Sequence, residues 1–135
     1  MNDRYLFKAK RIDNGEWVQG ALLDGENHCL IGQEIRFSPY VDNECKIVGH
    51  EVDRTTICAC TGLYDKEKRL IWENDIVEIS KEDGCFSVDW DEDTARFMMN
   101  RDGLTVDFDN YWSHEVEVVG NRVDNPELLE VERWN

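Results

Sequence analysis

Three aspartates at alternate positions, Asp89, Asp91 and Asp93, form the sharpest carboxylate cluster in the chain. They fill the first three liganding positions of a calcium loop. Such a loop needs glycine at its sixth position and a bidentate glutamate at its twelfth, where this chain has Thr94 and Asn100. In an extended strand, alternate carboxylates share one face and repel each other unless a cation or bases intervene. A solvated strand end is the favoured reading. Asp89, Asp91 and Asp93 stand behind it as candidate metal ligands, and no cofactor is expected.

A zinc centre would have to draw on Cys58, Cys60 and His50, with His28 and Cys29 further away. Structural zinc takes four ligands, commonly as two spaced pairs, and no second pair accompanies Cys58-Ala59-Cys60. The two thiols read instead as an inert pair at alternate strand positions, facing the same side. Nucleophilic catalysis requires a nucleophile, a base and a group that orients the base. His28, His50 and His114 lack any such context, and Ser113-His114-Glu115 are neighbours in sequence only. Carboxylates are too abundant for a glycosidase-type pair to be singled out, and no glycine-rich phosphate loop is present. No residue is assigned a catalytic role, and a non-enzymatic protein is expected.

Net charge is −15, unevenly placed: residues 1–72 hold 12 acids against 10 bases, and residues 73–135 hold 18 against 5. Such a surface repels phosphates and anionic lipid, and attracts basic proteins or cations. Direct nucleic-acid binding is therefore not expected, despite a local basic patch of Arg4, Lys8, Lys10 and Arg11. No apolar run approaches the roughly 20 residues that span a bilayer, and Met1-Asn2-Asp3-Arg4-Tyr5 does not open a secretory signal. With five cysteines, an odd number, free thiols in a reducing cytoplasm are the expectation.

The elements that must position these residues read as short strands. Tyr5, Phe7 and Ala9 alternate with Lys8 and Lys10, and Asp13-Asn14-Gly15 signals a hairpin turn. Trp17–Leu23 forms the return strand, which Asp24-Gly25-Glu26-Asn27 turns towards Leu30-Ile31. Residues 32–56 give a weaker signal, with a Ser38-Pro39 turn and a strand around Lys46–Val52. Further strands are expected at Ile57–Thr61, Leu70–Trp72, Ile76–Ser80, Cys85–Trp90, Arg96–Asn100, Leu104–Phe108 and Glu115–Gly120. Asp124-Asn125-Pro126-Glu127 marks the start of a short C-terminal helix, with Leu128, Leu129 and Val131 to dock it. The pattern predicts a mainly β protein, a small antiparallel barrel or sandwich. It is one unit of 135 residues, divisible into an N-terminal β lobe (1–56) and a barrel-like lobe with the helix (57–135).

The stretch 61–79, TGLYDKEKRLIWENDIVEI, resembles the signature of the YopX family of phage and prophage proteins, roughly T-G-L-x-D-K-x-G-x-x-I-[YF]-E-G-D-I-V. Thr61, Gly62, Leu63, Asp65, Lys66, Ile71, Glu73, Asp75, Ile76 and Val77 fall on that pattern. Phe7-Lys8-Ala9 is similar to the family's opening, and Val118–Asn121 with Asn125–Leu129 to its ending. Two positions depart: Lys68 and Asn74 replace turn glycines. Asn adopts the left-handed region at small cost and keeps its turn. Lys68 incurs more strain, so a changed turn over 65–69 is expected. The resemblance implies a mobile-element origin and a mainly β fold with SH3-like elements, and it implies no activity.

Within the signature, Asp65 and Asp75 suit turn positions where a carboxylate bonds nearby backbone N–H groups. Tyr64, Trp72 and Trp90 read as core or edge-covering aromatics, since a stacking platform for single strands would also need a basic groove. Three functional readings follow. The first is an accessory protein acting through protein–protein contact and forming homo-oligomers, with a basic host or phage protein as a further partner. The second is an acidic decoy that imitates DNA, and the third is a cation-dependent enzyme using residues 89–93.

Overall fold

The computed structural model describes residues 3–111 and 114–131. The chain divides into two compact units, Met1–Ala59 and Cys60–Asn135, and both are built on antiparallel strands.

In the first unit, β1 (Phe7–Lys10) pairs with β2 (Trp17–Asp24), which pairs with β3 (Cys29–Phe37), which pairs with β4 (Cys45–Glu51). The hairpin at Asn14-Gly15 forms as its residue types predict: Gly15 takes φ 72°, and the Asn14 side chain accepts the Glu16 amide at 2.9 Å. Strand alternation sends Ala9 inward and Lys8 and Lys10 to the other face, where their ammonium groups lie 4.7 and 5.6 Å from the Trp17 ring. Ala9, Cys29, Ile31 and Val52 form the core, covered by Phe7, Val18, Leu22 and Ile57. A 3-10 turn at Arg54–Thr56 is capped by Asp53, whose carboxylate takes the Thr55 hydroxyl and amide. Those two bonds hold the Asp53 carboxyl below its ordinary range.

The strand β5 (Cys58–Tyr64) begins at the end of the first unit, beside β1, and continues into the second, where it pairs with β6 (Leu70–Trp72). The remaining strands are β7 (Asp75–Ile79), β8 (Cys85–Asp91), β9 (Arg96–Arg101), β10 (Leu104–Asp107) and β11 (Val116–Asn121). They form one sheet in the order β10-β9-β8-β7-β11. The β9–β10 hairpin turns on Asp102 and Gly103, both at positive φ (46° and 86°), which suits the right-handed twist of its strands. One turn of helix, α1 (Phe108–Tyr111), follows β10, and α2 (Glu127–Val131) follows β11. Ile71, Val77, Ile79, Phe86, Val88, Met99, Phe108 and Val116 pack on one face of this sheet; full burial of each large apolar side chain contributes about 2 kcal/mol. The fold is thus mainly β, with two antiparallel sheets and a short C-terminal helix. Neither sheet closes into a barrel.

The weakly signalled region 32–56 holds the longest hairpin of the first unit. Between Gly32 and Glu34 the β3–β4 register shifts by one residue, leaving Gln33 as the extra residue of a bulge. At this point a side chain at position 49 would collide with the Ile31 carbonyl oxygen and come within 2.8 Å of the Gly32 Cα. Glycine at 49 is what lets the two backbones meet.

Candidate functional site

The face of the second sheet opposite its core cluster carries a group of polar side chains beside the buried Ile76, Cys85 and Met98. Strand pairing places Ser87 opposite Asn100, and Asn100 opposite Thr105, so these three side chains share one face, with Asp89 two residues beyond Ser87. Asp89 Oδ2 accepts the Ser87 hydroxyl at 3.0 Å and the Asn100 amide at 2.7 Å, and Oδ1 accepts Arg122 at 2.9 Å. Thr105 in turn donates to Asn100 Oδ1 at 2.7 Å. With Cys85, Arg101, Asp102 and Leu129, several of these groups line a cleft of about 210 Å³. Both Asp89 oxygens are engaged by protein donors, and the Arg122 guanidinium balances the charge. The Ser87 hydroxyl points at a carboxylate with no histidine between them, so the arrangement is a satisfied polar network rather than an activated nucleophile.

The other two aspartates of the cluster do different work. Asp91 accepts the Asp93 amide at 3.1 Å and the Thr94 hydroxyl at 2.8 Å, which shapes the β8–β9 turn, and Asp93 is exposed. Among the described residues, no three His, Cys, Asp or Glu side chains converge as a metal site. Cys58 and Cys60 are buried at alternate positions of β5, and Cys58 Sγ donates to the Thr56 carbonyl at 3.3 Å. His28 pairs with Glu51 at 2.6 Å, His50 is half-buried in β4, and His114 is exposed. Ser113 lies outside the described residues.

The signature residues converge on backbone groups. Thr61 bridges β5 and β6: its hydroxyl donates to the Ile71 carbonyl at 2.7 Å and accepts the Leu63 amide at 3.1 Å, with Gly62 at φ 80° between them. Asp65 is buried. Its Oδ1 accepts the Glu67 and Arg69 amides, both at 2.9 Å, and its Oδ2 accepts the Val118 amide at 2.9 Å and Arg69 Nε at 3.2 Å. Burial opposes ionisation, but the amides of Val118, Arg69 and Glu67 and the Arg69 charge outweigh it, so the carboxyl sits below its ordinary range. Lys66 and Arg69 also flank Glu117 at 3.4 and 3.7 Å, offsetting the like charge of Glu78 directly opposite Glu117. Asp75 accepts the Trp72 amide at 2.8 Å, across the turn that holds Asn74 at φ 73°. The changed turn expected at Lys68 is not needed: Lys68 itself takes φ 65°, and its amide closes onto the Asp65 carbonyl at 3.0 Å. Trp72 is core, while Tyr64 and Trp90 are partly exposed, with Trp90 edge-on to Phe97 at 5.0 Å.

The feature that sequence reasoning missed lies in the first unit. Ile35 stands opposite Ile47 and Phe37 opposite Cys45, on the face away from the core. Gly32 and Leu23 share that face: the space above Gly32 is filled by the Ile47 and Leu23 methyl groups, 3.2 and 3.9 Å from where a Cβ would stand. Leu23 (39% exposed), Ile47 (45%), Ile35 (58%) and Phe37 (70%) therefore form one continuous apolar stripe. At its end, Tyr40 is 93% exposed on an ordered turn. There the Ser38 hydroxyl oxygen accepts the Tyr40 and Val41 amides at 3.1 Å each, and the Ser38 amide donates to the Glu44 carbonyl at 2.8 Å.

A family model described as YopX protein matches residues 6–130. No curated protein matches the chain. Among solved structures, the chain is similar to the crystal structure of protein EF1440 from Enterococcus faecalis, with 22% identity and a TM-score of 0.62 over 91% of this chain and 96% of that one. At that identity the likeness speaks for the fold alone. Neither description names a catalytic activity. Among the described residues, no helix is long and apolar enough to cross a membrane.

Proposed function

The chain belongs to the YopX family, and from that premise we propose that it is a non-enzymatic accessory protein of a phage or prophage that works through protein–protein contact. One observation carries this reading: the stripe from Leu23 to Phe37, an apolar face held on paired strands and left open to solvent. Exposing it costs solubility without helping the fold, since the core lies on the opposite face. The polar cleft at Asp89 supports no rival, because its one carboxylate with bonds on both oxygens, Asp89, is already held by Ser87, Asn100 and Arg122. The same saturation leaves the cation-dependent enzyme reading without support. The test is capture from a bacterial lysate on the immobilised full chain, beside the variant Phe37→Asp. Loss of a captured band in the variant is expected; identical capture by both proteins would overturn the assignment of this face.

A second reading is favoured by the charge distribution. The second unit holds 20 acidic residues against 8 basic, the first 10 against 7. An acidic decoy would use that excess to hold a basic DNA-binding protein. Several of these carboxylates, among them Asp65, Asp75 and Asp89, are engaged by internal donors, which reduces what remains for imitating a phosphate array. Elution of a captured DNA-binding protein by salt, unaffected by Phe37→Asp, would favour the decoy.

A further inference from the structure

We infer that a cavity at one end of the first unit binds a small organic monocarboxylate. Its carboxylate takes the Arg11 guanidinium, and its apolar body lies on Cys29 and Val52. The inference goes beyond the protein-contact reading and does not depend on it.

Backbone pairing builds the cavity. Arg11 bridges Val52, the Ile12 amide donates to the Glu51 carbonyl at 3.0 Å, and the Asp53 amide donates to the Lys10 carbonyl at 2.8 Å. On its other side, the Val52 amide donates to the Cys29 carbonyl at 2.9 Å. The end of β1 thus meets the end of β4 beside the start of β3. A cavity of about 600 Å³ opens there, lined also by Gly15 and Asn27 from two turns. That volume suits a small organic molecule. Arg54, which also lines it, fixes the β2–β3 turn: its guanidinium donates to the Gly25 carbonyl at 2.6 Å and pairs with Asp24 at 3.0 Å. Walls held by bonds of this kind need little ordering when a ligand enters.

The residue types then select the ligand. Cys29 and Val52 are buried core side chains, and Ile12 adds an apolar side chain open to solvent. Arg11 already displays what it binds. Its Nε and Nη2 donate to the two Asp13 carboxylate oxygens at 2.9 and 2.6 Å, the fork that matches a planar carboxylate. The two partners differ in how firmly they are placed: the Arg11 side chain is 23% exposed, the Asp13 side chain 65%. An exposed ion pair holds weakly, so Asp13 yields its place to a ligand carboxylate while the guanidinium stays. Glu51 and Asp53 line the same cavity, with their carboxylates engaged by His28 and Thr55. Their negative charge opposes a multiply charged anion. One carboxylate on a neutral, apolar body meets all of these conditions.

The experiment is a titration of the nitrogen-15-labelled full chain with benzoate, followed by amide chemical shifts, with benzamide, phosphate and chloride compared at equal ionic strength. Benzoate is expected to move the Gly15, Asn27 and Val52 amides with a Kd of about 1 mM. Neutral benzamide should bind at least about tenfold more weakly, because it leaves the guanidinium without a charged partner. Arg11→Lys keeps the charge but loses the fork, and should weaken benzoate about tenfold. Asp13→Asn removes the internal competitor and should tighten benzoate about threefold, a gain that a merely structural Arg11–Asp13 pair would not give. A dispersed spectrum shows that each variant folds. The inference is overturned if benzoate leaves those three amides unmoved, if benzamide matches it, or if Arg11→Lys binds it equally well. Binding that weakens in Asp13→Asn would also overturn it. Phosphate binding as tightly as benzoate would overturn the assignment to a monocarboxylate.

Discussion

The Asp65 carboxylate and the Val118 amide, 53 positions apart in the chain, meet at 2.9 Å, and this bond ties the β5–β6 turn to β11. The same carboxylate holds the Glu67 and Arg69 amides, so one buried side chain sets the turn and anchors it. Alanine at 65 would leave these donors without their acceptor, and a cost of about 3 kcal/mol is expected. Urea denaturation checks it. Asp13→Ala, which removes only a surface ion pair with Arg11, should leave the midpoint unchanged.

Acid should loosen the protein through the same group. Asp65 and Asp53 both have folded-state pKa values below the ordinary 3.8. Their contribution is therefore present above about pH 4 and is lost as pH falls through the lower folded values. Urea midpoints measured from about pH 5 down to pH 2 should fall. The fall should be shallower in Asp65→Asn, which starts from a lower stability.

Lys68 at φ 65° bears the penalty of a side chain in the left-handed region, about 1 kcal/mol. Lys68→Gly removes it at some cost in unfolded-chain entropy. A net gain of about 0.5 kcal/mol is expected, seen as a small rise in Tm.

Gly120 seats the C-terminal helix. A Cβ there would stand 2.8 Å from both Asn125 Oδ1 and Leu128 Cδ1, so these two side chains must shift. Gly120→Ala should loosen the docking of α2 while the sheet persists, raising hydrogen exchange at the Leu128 and Leu129 amides, which now donate to Asn125 and Pro126, by about threefold.

Calcium or manganese should leave Tm unchanged, because Asp89 already accepts from Ser87, Asn100 and Arg122. A cation would have to displace the Arg122 guanidinium, which supplies the balancing charge at no cost in bulk metal hydration. A rise in Tm that disappears in Asp89→Asn would show that a cation competes successfully.

Much of this molecule was legible in its residues. The strands expected from Leu70 onward lie within one residue of β6 to β11, because each is a short apolar run closed by a residue type that its turn demands; β5 runs three residues past the expected Thr61. Asp65 and Asp75 could be read as turn carboxylates, although the partnership of Asp65 with Val118 is long-range and leaves no local pattern. The apolar stripe was invisible for a physical reason. Cys29, Ile31, Ile35 and Phe37 all occupy odd positions, and simple alternation assigns them to one face. The bulge at Gln33 breaks that alternation, so Ile31 enters the core while Ile35 and Phe37 leave it. A bulge depends on how two backbones meet, which here includes glycine at 49, and the run itself does not record it.

Nine residues of β3 thus answer to two selections. A lesion at Cys29 or Ile31 should behave as a temperature-sensitive allele, lowering the amount of folded protein. One at Ile35 or Phe37 should leave abundance normal and remove the phenotype that depends on contact. Gln33 is the border between the two classes, and mutational scanning of this single strand, scored for abundance and for growth in parallel, would draw that border genetically.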